Sequence, residues 1–239
     1  EGTDGIEYDQ YNLSLMNFRS IWLLIYSALF AGLLYGVQKT FHSRQLVVSS
    51  MMINAVVLLA FITAGLLNLS ELRSSFLQQD MAEYYNRGYG HIFIRYLAVI
   101  SMLPLLWFNR RLAQHENFND DTRKAEILFF HFIVLAMLSS ELIHWLEMAR
   151  VENTLKLSLS ILWGAYALFL IVIGLSRDQK YIRLAGIILF AATLLKLFAY
   201  DMADMSTILK TVVMIILGAL LLTASFIYNK FKRSAGNET

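Results

Sequence analysis

Seven long apolar runs, separated by short polar stretches, organise the chain. They are approximately Ser20–Val37, Gln45–Leu69, His91–Phe108, Ala125–Met148, Leu157–Leu175, Ile182–Tyr200 and Ile208–Tyr228. Each is about 18 to 25 residues long, enough to cross a hydrocarbon layer of ~30 Å at ~1.5 Å per residue. Alternation of period two is absent, so a transmembrane barrel is not the reading. Helices satisfy their own backbone hydrogen bonds and are the remaining way to span lipid. The pattern therefore predicts an all-α, polytopic transmembrane bundle of about seven spans, forming one membrane domain over residues 1–239. The third run has the weakest pattern, because it carries Arg95 and the one proline, Pro104.

Composition agrees with that pattern. Hydrophobic residues make up 57% of the 239, charged residues only 16%, and mean hydropathy is +0.53. A soluble domain of this length could not clothe its surface with so few charges. The net charge of +2 is scattered between apolar runs, which excludes a nucleic-acid surface. Cysteine is absent, so disulfides, thiolate metal sites and a cysteine nucleophile are excluded.

Basic residues set the expected orientation. With seven spans, one side receives Lys39, Arg44, Arg110, Arg111, Arg123, Lys124, Arg177, Lys180, Arg183, Lys230, Lys232 and Arg233. The other receives Arg19, Arg73, Arg87, Arg150, Lys156 and Lys210. The richer side is expected to be cytoplasmic, with the N-terminus outside and the C-terminus inside. Two connections are long. Ser70–Gly90 carries Phe76, Leu77, Met81, Tyr84 and Tyr85 near helical spacing, which predicts an amphipathic helix lying on the outer surface. Asn109–Lys124 is polar and reads as a solvated inner loop.

Small residues four apart let helices approach closely in lipid. Ala28, Gly32 and Gly36 in the first span, Ala60 and Ala64 in the second, Ser160 and Gly164 in the fifth, and Gly186, Thr193 and Lys196 in the sixth are the expected packing faces. A dimer seam on the first span has the same spacing. Asn54 and Thr63 are expected to bond across helices. Trp22, Trp107, Trp145, Tyr200 and Tyr228 lie near span ends, as interface anchors do.

Charges inside spans are costly unless paired or hydrated, so each is a candidate for function. Arg95, Glu141, His144, Glu147, Lys196 and Asp201 come from three spans and share one expected depth, in the outer half of the membrane. His131 lies nearer the inner side. Two readings stay open: interhelical ion pairs that lock the bundle, or an outward polar pocket for a solute or lipid headgroup. Glu141 and His144 have the Glu-x-x-His spacing of di-iron sites, but no second copy is present, so neither a metal nor another cofactor is expected. Glycine-rich phosphate loops and nucleophile elbows are absent as well.

The stretch from Leu157 through Trp163-Gly164, Gly174, Arg183-Leu-Ala-Gly186, Leu195-Lys-Leu-Phe-Ala-Tyr-Asp201 and Gly218 to Tyr228 resembles a bacterial family of predicted membrane proteins, domain of unknown function 2339. The resemblance is good over Leu157–Phe231 and weaker back to the Glu141 helix. It implies that the chain is similar to a C-terminal portion of longer proteins, that the membrane is the bacterial cytoplasmic (inner) membrane, and that Arg183, Lys196 and Asp201 belong to the family pattern. No catalytic residue comes with it. Three functions are carried forward. One is a transport or solute-binding module. Another is a non-enzymatic structural or assembly subunit, with membrane lipids, other membrane subunits or the missing N-terminal part as partners. The third, ranked behind, is an enzyme on lipid-linked envelope substrates.

Overall fold

The computed structural model describes residues 3–41, 43–78, 88–115, 118–151 and 155–197, with single positions between 208 and 222. All regular structure among them is helical. The elements are α1 (Thr3–Phe41), α2 (Arg44–Ala60), one π-helical turn (Phe61–Gly65), α3 (Leu66–Gln78), α4 (Gly90–Ala113), α5 (Asp120–Met148), α6 (Leu155–Ser176) and α7 (Lys180–Lys196). Five stretches of the described residues are long and apolar enough to cross a bilayer: Leu13–Gln38, Arg44–Gln78, Gly90–Ala113, Asp120–Met148 and Leu155–Ser176. They coincide with the first five predicted runs. The sixth run is α7 as far as it is described, and the seventh falls largely outside the described residues.

The chain forms two compact units, Glu1–Ser140 and Glu141–Thr239. In the first, α1, α2 and α4 each pack on the other two. Their buried positions recur at spacings of three, four and seven. On α1 these are Ser14, Asn17, Ile21, Ile25, Ala28, Ala31 and Gln38. On α4 the series is Arg95, Ala98, Met102, Leu105, Asn109 and Leu112, with Ile94, Leu106 and Ala113 buried beside it. This is the spacing of a helix-bundle seam, where heptad-like recurrence keeps one face on its neighbours. The middle of the seam is apolar and holds Ile21, Ile25, Leu58, Phe61, Leu69, Ala98, Met102 and Leu105. The outward faces stay apolar too, with Leu29, Leu33, Met52, Phe93, Ile100 and Trp107 exposed, as lipid contact requires.

The first part of the Ser70–Gly90 segment departs from expectation. The second span runs on without a break to Gln78, so residues 70–78 prolong that span and are not a separate surface helix. No glycine or proline interrupts them, and Leu69, Leu72 and Arg73 keep the buried seam going. Positions 79–87 lie outside the described residues. The Asn109–Lys124 connection is also shorter than expected, because α4 continues to Ala113 and α5 begins at Asp120. Asn119 accepts from the Thr122 backbone N–H at 2.9 Å and from its hydroxyl at 2.7 Å, capping α5 at its start.

Thr63 does not bond across helices. It is exposed, and its hydroxyl donates to the Leu59 and Ala60 carbonyls of its own helix at 2.8 and 3.3 Å. Those carbonyls are the ones a π-turn loosens from the regular ladder. The turn brings Gly65 onto the seam, where an added Cβ would stand 2.9 Å from Leu24 Cδ1. The small residue that lets α1 approach is therefore Gly65, while Ala64 faces outward. On α1, Ala28 is buried but Gly36 faces open space.

In the second unit, α6 and α7 form an antiparallel pair. Glycine sets their separation. A Cβ on Gly174 would stand 2.5 Å from the Arg183 backbone nitrogen, and one on Gly186 2.9 Å from the Ala167 carbonyl oxygen. Asp178, with φ 48°, makes the turn between the helices. Ser160, Gly164 and Ala167 on α6 face Gly186, Phe190 and Thr193 on α7 as the buried stripes of the pair.

Candidate functional site

Arg95 is the largest fully buried side chain of the described residues, 1% exposed. It lies one turn into α4 on the seam. Its Nη2 donates to Ser140 Oγ of α5 at 2.8 Å. Ser139 and Ser101 bond instead to the backbone of their own helices, at 2.8 and 2.7 Å. The Ser140 hydroxyl joins two helices. The Arg95 guanidinium enters an apolar bundle because a neighbouring helix supplies an acceptor there.

Lys196 shows the same arrangement in the second unit. It sits at the end of α7, half-buried, and its Nζ donates to Ser160 Oγ at 2.8 Å and to the Lys156 carbonyl at 3.4 Å. The antiparallel register fixes this contact. Gly174 meets Arg183 near the turn, Ala167 meets Gly186 midway, and Ser160 meets Lys196 at the far end. Lys196 also follows Thr193 on the buried stripe of α7. The stripe read from Gly186, Thr193 and Lys196 is thus the α6-facing side.

Glu141, His144 and Glu147 occupy the last two turns of α5, three residues apart, so they lie on one side of the helix. His144 is buried, and the other two are half-buried. Among the six candidates, Arg95 belongs to the first unit, and Glu141, His144, Glu147 and Lys196 to the second. Asp201 lies outside the described residues. No group of three or more His, Cys, Asp or Glu side chains among the described residues is placed to hold a metal ion.

The first unit contains a second set of buried polar residues that hydropathy alone passes over. They form two layers, one at each end of the apolar seam. Near the start of α1, Asn17 Nδ2 donates to Glu71 Oε2 of α3 at 2.7 Å. Arg73 is 2% exposed and donates from Nη2 to Ser70 Oγ at 2.7 Å. Ser14 is buried nearby on α1, and Phe18 meets the His91 ring of α4 edge-on at 4.9 Å. At the end beside the α1–α2 connection lie Gln38, Ser50, Asn54 and Asn109, all buried seam positions, with Glu126 of α5 also buried. The Arg110 guanidinium stands over the Phe130 ring at 5.2 Å, and Arg111 over Trp107 at 5.2 Å. Both are cation–π placements at the end of α4. The seam's three-four spacing was the available signal for both layers. Ser14 and Asn17 lie on it at one end, Gln38 at the other.

A family model described as predicted membrane protein (DUF2339) matches residues 4–231. The likeness therefore reaches well beyond Leu157–Phe231 and covers α1 to α5 as well. No curated protein matches the chain, and no solved structure does.

Proposed function

The chain belongs to the DUF2339 family of predicted membrane proteins, and we propose that it is a non-enzymatic assembly module of the bacterial cytoplasmic membrane, its intramembrane polar groups clamping helices together. One observation carries this reading. The two cations that the sequence places inside spans, Arg95 and Lys196, each donate to a serine hydroxyl on a neighbouring helix at 2.8 Å. In lipid the hydrophobic effect does not drive helix against helix, so close packing and such bonds carry the association. The module's partners are the surrounding lipids and other membrane subunits. Lys196→Met keeps most of the side-chain volume and removes the ammonium. It is expected to lower stability in mixed micelles by about 1 kcal/mol, and Ser160→Ala by a similar amount. Unchanged stability in both variants would refute the clamp.

A solute- or headgroup-binding module is the second reading. It is favoured by the two guanidiniums, Arg73 and Arg95, buried in the first unit, since their forked donors suit phosphate and carboxylate. Under it, Arg73→Gln abolishes binding of inorganic phosphate, or of phosphatidylglycerol vesicles, at unchanged stability.

The proposed topology has seven spans, the N-terminus outside and the C-terminus in the cytoplasm. It rests on the excess of basic residues on one side. The natural chain has no cysteine, so single cysteines report sidedness without background. Val151→Cys is expected to react with an impermeant maleimide on intact spheroplasts, and Asn119→Cys only after permeabilisation. Both residues are exposed at helix connections. The reverse pattern inverts the topology, and labelling of both from outside removes a span.

A further inference from the structure

The polar layer beside the α1–α2 connection has no part in the clamps. Asn54 is fully buried at 0% exposure and Asn109 at 2%. Among the described residues, neither amide atom of Asn54 has a hydrogen-bond partner, and Asn109 Oδ1 has none. Buried amides without partners are rare, because each forfeits its hydration and gains nothing in return.

Helix register brings the two amides to one level. Phe18 meets His91, and seventeen residues further along both helices Tyr35 stacks on Phe108 with centroids 4.2 Å apart. Asn17 meets Glu71 and Leu24 meets Gly65, which sets Asn54 of α2 opposite Tyr35 of α1. Asn54 and Asn109 therefore share a level on two helices that pack together, and both occupy seam positions. Ser50 lies one turn from Asn54 on the same stripe, Gln38 is the next seam position of α1, and Glu126 is buried on α5.

We propose that this layer is a monovalent-cation site, with the Asn54 and Asn109 amide oxygens at its centre and the Ser50 hydroxyl, Gln38 amide and Glu126 carboxylate around them. All five side chains offer hard oxygen donors, the chemistry of alkali and alkaline-earth ions. One carboxylate is too little charge for a divalent ion, whose sites gather several carboxylates or a phosphate. The Asn54 Nδ2 group donates to a water in the ion's remaining coordination. The proposal goes beyond the assembly role and concerns other residues.

The test is thermal unfolding of the full chain in a nonionic detergent, in NaCl, KCl or choline chloride at equal ionic strength. Sodium or potassium is expected to raise the midpoint saturably over choline, because a ligand that binds only the folded state stabilises it by mass action. Asn54→Leu and Asn109→Leu are expected to fold, since an apolar isostere removes the orphaned groups along with the site. In both, the cation increment disappears while the choline midpoint holds or rises. Ser27→Ala, on the outward face of α1, keeps the increment. Identical wild-type midpoints in all three salts overturn the proposal, and this measurement needs no variant. So does an increment that survives in both leucine variants, which would assign it to the surface.

Discussion

Leucine in place of Gly186 is expected to separate α6 from α7. At this position a single added carbon would already press on the Ala167 carbonyl oxygen at 2.9 Å and the Ile171 backbone nitrogen at 3.0 Å. Neither atom is the movable end of a side chain, so the strain falls on two helix backbones. Overpacking against side chains costs about 1–3 kcal/mol, and a clash of backbone with backbone belongs at or above the top of that range. The loss extends to the far end of the pair, because Lys196 reaches Ser160 only in the register that Gly186 permits. Gly186→Leu is thus expected to unfold the pair at lower SDS fraction and to weaken any further effect of Lys196→Met. Gly36→Ala is the matched control. Nothing lies within 4 Å of the added carbon there, so its effect stays within about 0.5 kcal/mol. Equal behaviour of Gly186→Leu and Gly36→Ala would contradict the close approach.

The contrast between these two glycines shows what the sequence could convey. Spacing marked both as small residues on a stripe, and spacing cannot tell a neighbouring helix from open lipid. The apolar runs were legible because each is a local average over about twenty residues. The first five matched because those helices are long and uniform. The continuation of α3 to Gln78 was not legible by that route. Its residues are polar on average, and only their burial pattern, with Leu69, Leu72 and Arg73 against α1 and α4, makes them part of the span. The same averaging hid the two polar layers. Asn17, Gln38, Asn54 and Asn109 stand singly among apolar neighbours and barely change a window's mean. Read as heptad positions, they fall in register with Ile21, Ala31, Phe61 and Met102. Arg95 and Lys196 were conspicuous for the opposite reason, since a full charge in an apolar run shows at once. Their serine partners lie 45 and 36 residues away, and such pairing depends on the tertiary register.

Taken together, the first unit has an apolar centre closed by polar groups at both ends of its seam. The layers differ in chemistry. In one, an amide donates to the Glu71 carboxylate and the Arg73 guanidinium to a serine hydroxyl; in the other, both amide atoms of Asn54 and Oδ1 of Asn109 are left over. The interhelical bond from Asn17 to Glu71 helps specify how α1 and α3 align. Two amides at one level with donors and acceptors to spare are suited to a guest.

Arg95→Ala is expected to be among the most damaging single substitutions in the first unit. It empties the space of the largest fully buried side chain and strips Ser140 of its interhelical donor, with a combined cost of about 3 kcal/mol or more. Arg95→Met separates the two contributions, because methionine refills the volume but carries no charge. Its cost should be the smaller, about 1 kcal/mol. Ser140→Ala leaves the guanidinium buried with one acceptor fewer, a loss of about 1–3 kcal/mol. The direct test is a double-mutant cycle on Arg95→Met and Ser140→Ala, read by unfolding in mixed micelles. A coupling energy near 1 kcal/mol is expected for an interhelical bond in lipid. Strict additivity would mean that the 2.8 Å contact contributes nothing to the bundle. A variant with methionine at this position that is more stable than the natural chain would show that Arg95 is retained at a cost to stability. The binding reading of the buried guanidiniums would then replace the structural one.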